Sequence, residues 1–370
     1  MQCNNCIKKL FACCLLLLGL TLAAAQSVDG WYKVFTGKMG NYNATLHLHK
    51  TAKNYSGYLW FMQTQLPMQL YYNEASTKTD SLILSASNGP LNFTLSGILS
   101  GDKYIGNTEL LQANATAQQA AFILAENNDK AFTPFSYYYT EGFARLPPQF
   151  KNQSSCHYIA SAIWPVNNSN TEAAYKKEIR QMFSINGPVE EIGRWLIDEK
   201  NRYVDSWRTS NAKYLPKETA GMGLSLTLEE AIRILVMFEN EKHITLANYS
   251  AGNTGGARAS FGTTLSTFSK QTGKKLKLTD VINANGIKLL PVLLDKAARA
   301  QFEIGNSKPL NQNGFLVANI KPSANFYITG EGIGFVFAPY VIKPFASGEI
   351  NLLVPFTALK NYVLPGVISK

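Results

Sequence analysis

The sequence predicts an α+β protein: an N-terminal all-β domain of meander or barrel type, then a domain in which an antiparallel sheet is packed by helices. Three observations predict it. Short alternating apolar runs recur between residues 31 and 139, separated by Asn, Gly, Asp and Ser at the spacing of a meander, sandwich or small barrel. After residue 165 the apolar period becomes helical, and after about residue 223 it returns to that of strands. The chain has 370 residues, of which 46% are hydrophobic, enough for two or three domains with real cores.

The first 25 residues read as an export signal. Lys8 and Lys9 form a basic start, Leu10–Ala25 is an apolar run, and Ala23-Ala24-Ala25 ahead of Gln26 has the A-x-A form of a cleavage site. The run falls short of the about 20 apolar residues a membrane span needs. A lipoprotein is the rival reading, because Leu10-Phe11-Ala12-Cys13 resembles a lipobox, but Cys13 lies inside the apolar run. Periplasm, cell surface or medium are the expected addresses. Cys3, Cys6, Cys13 and Cys14 would leave with the signal, so that only Cys156 remains and no internal disulfide is expected.

In the β-rich domain, expected to span residues 27–147, strands are predicted at Ala44–His49, Gly57–Phe61, Gln69–Tyr72, Leu82–Leu84, Phe93–Leu95 and Ala121–Leu124. Pro147-Pro148 marks the expected boundary, with the second domain over residues 151–370. A strand around Tyr158–Trp164 opens it. Ser169 and Glu172 have the spacing of a capping box, and Tyr175, Ile179, Met182 and Phe183 then fall on one helical face. A second helix is predicted after Pro188, with Val189, Ile192, Trp195, Leu196, Tyr203 and Trp207 in a stripe that reads as core. Strands follow at Gly223–Leu228, Ala231–Phe238, His243–Tyr249, Arg258–Lys270 and Lys275–Leu278. Ile287–Phe302 reads as a helix, and Phe315–Ile320, Phe326–Thr329, Ile333–Phe337 and Ile350–Val354 as final strands.

Three stretches of this second half resemble one family of exported domains. These are NTGGARASFG (Asn253–Gly262), KQTGKKLKLTDVI (Lys270–Ile282) and the aromatic–proline segment from Phe337 to Gly348. The family forms the extracytoplasmic part of RsiV-type anti-sigma factors and the non-catalytic N-terminal region of PdaC-type peptidoglycan deacetylases. Arg258 stands where that family usually has His. The motif residues are Thr254, Gly255, Gly256, Thr272, Gly273, Asp280, Phe337, Pro339, Tyr340, Pro344 and Gly348, and structural roles are expected for them. The resemblance covers roughly residues 155–365 and implies a binding module of the cell envelope, with lysozyme or peptidoglycan as its ligand.

No catalytic, metal or cofactor residue is predicted. His47 and His49 share a strand face and could ligate a metal, but no third ligand stands near them, and histidines on an exposed strand face are commonly inert. Cys156 beside His157 looks like a thiol–imidazole pair, yet neighbours on a strand point to opposite faces. There is no G-x-S-x-G elbow and no phosphate loop around Gly252–Gly256. Ser210-Asn211-Ala212-Lys213 matches S-x-x-K without its companion motifs. Glu190-Glu191 and Glu229-Glu230 are adjacent pairs, which cannot by themselves flank a glycosidic bond. The formal charge is +10, of which Lys8 and Lys9 supply two. That favours anionic envelope polymers, while scattered basic residues without a recognition helix exclude nucleic acid. The expected function is thus an exported, non-catalytic envelope binding module. The alternatives are a hydrolase acting on envelope polymers and a structural surface protein.

Overall fold

The computed structural model describes residues 30–52, 54–72, 81–111, 118–145, 154–189, 191–212, 227–254 and 259–368. The export signal, Pro147-Pro148, Gly255 and Gly256 lie outside them.

Eight antiparallel strands form a closed barrel: β1 (Gly30–Met39), β2 (Tyr42–Thr51), β3 (Asn54–Phe61), β4 (Met68–Tyr72), β5 (Leu82–Asn88), β6 (Leu91–Ser100), β7 (Lys103–Leu111) and β8 (Gln118–Glu126). Pairing of Phe35 with Glu126 and of Met39 with Phe122 closes it. The alternation in the sequence is the cause. Leu46 and Leu48, Leu59 and Phe61, Leu84, Phe93 and Leu95 point inward and bury one apolar cluster, which side chains fill as in other small barrels. The Tyr104 hydroxyl, buried in that core, donates to the Leu82 carbonyl at 2.8 Å.

The second layer is a five-stranded sheet in the order β13-β12-β11-β10-β9, built from β9 (Phe135–Arg145), β10 (Ser155–Pro165), β11 (Leu228–Glu239), β12 (His243–Thr254) and β13 (Ser260–Ser269). It is antiparallel except at β10 and β11, which run parallel with Ser161 opposite Arg233. A parallel pair needs a crossover, and the two predicted helices supply it: α1 (Asn170–Met182) and α2 (Ile192–Ala212). The capping box forms, with Ser169 Oγ accepting from the Glu172 N–H at 3.2 Å and Glu172 Oε2 accepting from the Ser169 N–H at 3.1 Å. Ile192 and Leu196 are buried against Tyr158, Ala162 and Trp164, and Trp195 and Tyr203 pack at the edge, so the aromatic stripe is core. Strand β9 differs from expectation. It pairs with β10 along its whole length, so the change from barrel to sheet falls between Glu126 and Phe135, before the expected boundary.

The third layer is a three-stranded sheet of β14 (Phe326–Ile328), β15 (Gly332–Phe337) and β16 (Ile350–Pro355), covered by α3 (Ala284–Gln301) and the short α4 (Phe356–Leu359). Leu290, Leu294, Phe335 and Leu352 share its core. Two expected strands do not form, one expected here and one expected to continue the five-stranded sheet. Phe315–Ile320 follows Gly314, at φ +79°, and makes one cross-chain backbone bond, from the Leu316 N–H to Ile342. Lys275 makes a single bridge to Phe268 before Asp280 captures the Lys277 N–H at 2.9 Å and turns the chain into a 3-10 helix.

Gly334 faces Tyr327 across β14 and β15, and a Cβ there would lie 1.8 Å from Tyr327 Cζ. The ring fills the space a side chain would need, and its hydroxyl donates to Asn351 Oδ1 at 2.7 Å. Gly334→Ala is therefore expected to destabilise the fold by about 1–3 kcal/mol through overpacking, measured as a lower urea midpoint. Asn351 also ties the layers together. It exchanges two bonds with Asn88 of the barrel, at 2.9 and 3.0 Å, and its side chain donates to the Pro67 carbonyl at 3.0 Å.

Candidate functional site: a tyrosine-lined cleft

The outer face of β1–β4 rests on one face of the five-stranded sheet. Trp60 meets Phe238 with ring centroids 5.9 Å apart, Tyr58 packs on Leu235 and Met237, and Tyr137 bonds Thr51 Oγ1 at 2.6 Å. Barrel wall and twisted sheet diverge beyond these contacts, and the gap is a cleft. Register sets its floor. Tyr139, Ser161, Arg233, Tyr249 and Thr263 stand opposite one another on five consecutive strands, forming one row across the sheet.

Two cavities of about 210 Å³ each share Tyr71 as their dividing wall. In the first, Ser56, Tyr71 and Tyr72 of the barrel face Tyr139, Ile159 and Arg233 of the sheet. The second gathers Gln69 and Asn88 of the barrel with Phe261, Thr263, Glu349 and Asn351. Burial sets the protonation states. The Tyr71 hydroxyl is pushed up by burial and by the neighbouring Tyr249 and Glu349, with Arg233 opposing. Burial likewise raises Tyr58, Tyr139 and Tyr249, so these phenols remain protonated at neutral pH. Glu349 is raised by burial against the pull of Thr263, whose N–H and hydroxyl donate to its two oxygens at 2.7 and 2.6 Å. A pocket walled by aromatic faces, with a few fixed polar groups, suits a ring-shaped polar ligand.

Two of the three resembling segments meet at this cleft. Phe261, from the first, lies 5.4 Å from the ring of Phe345, which itself lies 5.6 Å from Tyr340. Phe337 is buried at the end of β15, and the chain from Pro339 to Pro344 leaves the sheet with Tyr340 at φ +68° and half exposed. Gly348, at φ +67°, delivers Glu349 into the cleft. Thr254 ends β12. The third segment lies elsewhere. Gly273, at φ +68°, passes so close to α1 that a Cβ would be 2.8 Å from Thr171 Cα. Thr272 Oγ1 accepts from the Lys274 N–H at 3.3 Å, and Asp280 accepts from Lys274 Nζ at 2.6 Å, which holds its carboxyl below the usual range.

His47 and His49 lie on the barrel face against the sheet and are buried, not exposed as a strand pair of this kind would normally be. Tyr32 bonds His47 Nδ1 at 2.8 Å and its ring packs on both imidazoles. Among the described residues no three His, Cys, Asp or Glu gather around a common point. Cys156 is buried and its thiol is pushed up by burial, whereas His157 faces away to Glu141 at 2.6 Å. A larger cavity of about 530 Å³ lies where the barrel rim meets α3, with apolar walls from Leu66, Leu91, Leu293 and Leu353. The cleft residues Tyr71, Tyr139, Arg233, Tyr249 and Glu349 were not singled out by motif. One signal was present: Arg233 is the sole charge within the apolar run Ala231–Phe238.

A closed barrel seated on an α+β module, with an open cleft between them, defines the class of protein. In the C-terminal part, residues 279–357 match the model of the family described as "Protein of unknown function (DUF3298)". A DUF3298 family member from Bacteroides fragilis has the same fold, with a TM-score of 0.54 at 19% identity over 63% of this chain and 94% of that one. A DUF3298 family protein from Pseudomonas aeruginosa aligns at a TM-score of 0.43 and 12% identity, over 64% of this chain and 98% of that one. No curated protein matches the chain. Among the described residues no helix is long and apolar enough to cross a membrane.

Proposed function

We propose that this chain is an exported, non-catalytic binding module of the cell envelope, related to the RsiV-type and PdaC-type domains, whose cleft takes a peptidoglycan-type glycan. The observation that carries the reading is the shared wall: Tyr71 separates two adjoining cavities, each sized for about one sugar ring. Flat phenol faces stack on the apolar face of a pyranose, and protonated hydroxyls with the Gln69 and Asn88 amides match its hydroxyl and acetamido groups. The net positive charge favours an anionic polymer. Non-catalysis is supported by the carboxyls. Among the described residues Glu349, in the second cavity, is the one acid that lines either of the two; both its oxygens are engaged by Thr263, and glycoside hydrolysis needs a second carboxyl across the bond.

Calorimetric titration with peptidoglycan fragments, and in parallel with lysozyme, tests the reading. Glycan binding is expected, and Tyr71→Ala should weaken it about tenfold, as loss of one central aromatic contact does. Tyr71 is 43% exposed, so the melting temperature of that variant should stay near wild type. Heat evolved with lysozyme alone, or an unchanged affinity in Tyr71→Ala, would refute the cleft as the glycan site.

A further inference from the structure

Arg233 is the one member of the cross-sheet row that carries a full charge, and it is half-buried in the middle strand of an otherwise apolar run. Arg194, Arg202, Arg208 and Arg299 each hold an aspartate or glutamate. Arg145 and Arg180 hold none among the described residues, but Arg145 is exposed over the Phe143 ring and Arg180 lies on a helix, and neither lines a cavity of the cleft. Arg233 has no such partner among the described residues; its guanidinium lies over the Tyr249 ring, 5.8 Å from the centroid, and lines the first cavity. The cavity around it supplies Tyr55, Tyr71, Tyr72, Tyr139 and the small polar groups of Asn54 and Ser56, and no acid. Removing a guanidinium from water without an anion is costly, and stacking on one ring offsets only part of that cost. The cost is met in full when a ligand brings a carboxylate, which matches the planar fork of arginine with two parallel hydrogen bonds.

The second cavity has the opposite character. Its charged group is Glu349, and its other polar groups are neutral: Gln69, Ser87, Asn88 and Asn351. A carboxylate is repelled there and attracted on the far side of Tyr71. Resting on the glycan-binding reading, we infer that the cleft recognises an acidic sugar next to a neutral one, with the sugar carboxylate bound by Arg233 and the neutral ring on the Glu349 side. Arg233 is then the residue that selects charged over uncharged glycan, and Tyr249 holds its guanidinium plane in place.

The test compares three tetrasaccharides on the full chain by calorimetry. One is the neutral chitin tetrasaccharide; the second is its counterpart with alternating muramic acid, which differs by lactyl ether carboxylates. The third is the hyaluronan tetrasaccharide, whose carboxylates sit on the ring itself. Wild type is expected to bind at least one acidic sugar about tenfold more tightly than the neutral one. Which acid is preferred tells an ether-linked carboxylate from a uronic one. Arg233→Gln should bring acidic and neutral sugars to within about twofold of each other, and Arg233→Lys should restore only part of the preference. Near-ultraviolet circular dichroism and the melting temperature of both variants report whether the cleft is intact. Equal affinity of wild type for all three sugars, or an acidic preference that survives in Arg233→Gln, would overturn the assignment while leaving glycan binding standing. Absence of binding to any of the three would instead remove the glycan reading, and this inference with it.

Discussion

Lowering the pH from 7 to 5 is expected to withdraw about 2 kcal/mol of stability for each of three buried histidines, His47, His49 and His243. Burial is the main cause in each case, because an imidazolium cannot be hydrated where these rings sit. It lowers His47 to about 3, helped by Lys270, and His243 to about 4, helped by Lys242. It lowers His49 well below the usual range, helped by His47. The unfolded chain takes up protons below a pKa of about 6.5, and the native state does not. Stability from these groups is thus complete above that pH and is lost as the pH falls, down to about 4 for His243 and about 3 for His47. Tyr32 and Tyr137, which pack on the barrel pair, bring no charge of their own at these pH values. Glu239 and Glu349 are raised by burial and act in the opposite direction, so the wild-type slope is a net figure. The decisive measurement is the difference between proteins: the gap between urea midpoints at pH 7 and 5 should narrow by about a third in His49→Phe. An equally steep loss in that variant would show that the histidines are not the cause.

The second large effect concerns the pair Glu239 and Lys270, where the barrel, β9 and the end of β11 come together. Glu239 is fully buried, accepts from Lys270 Nζ at 2.5 Å, and takes the Thr133 N–H and hydroxyl at 2.8 and 2.6 Å. Lys270 also donates to the Ala131 carbonyl. Glu239→Ala leaves a largely buried ammonium without its anion and strips Thr133 of its acceptor, which is expected to cost about 3–5 kcal/mol in chemical denaturation. The double change Glu239→Leu with Lys270→Met should recover most of that loss, since it removes both charges and fills the space. If the double variant were as unstable as the single one, the pair would be contributing more than mutual neutralisation.

Much of the fold was readable because most strands here have one wet or weakly packed face and one core face. Leu82/Leu84 of β5 and Phe93/Leu95 of β6 alternate with more exposed residues, and that alternation already implies a barrel interior. The helices were readable from the Ser169–Glu172 cap and the 3.6-residue spacing that follows it. What escaped depends on distant partners. No local feature of Phe135–Arg145 says that it pairs with β10 instead of the barrel, and Phe315–Ile320 is apolar enough for a strand although Gly314 curls it into a core-filling loop. The two histidines look like an exposed pair until the sheet is laid over them. The cleft was the least legible part. Its residues come from four strands of the five-stranded sheet, four of the barrel, and β15, β16 and the approach to β16, and only the isolated charge of Arg233 stood out along the chain.

The place of β9 carries a lesson for anyone who cuts this protein into pieces. A fragment begun just after the double proline would discard that strand and leave β10 as a bare margin, with apolar Ile159, Ile163 and Trp164 beside unpaired amides. Such a margin recruits other chains, so the fragment would be prone to self-association for reasons unrelated to its biology. The seam at which the two halves come apart cleanly lies between Glu126 and Phe135, and recombination that traded barrels between relatives would have to respect the same seam.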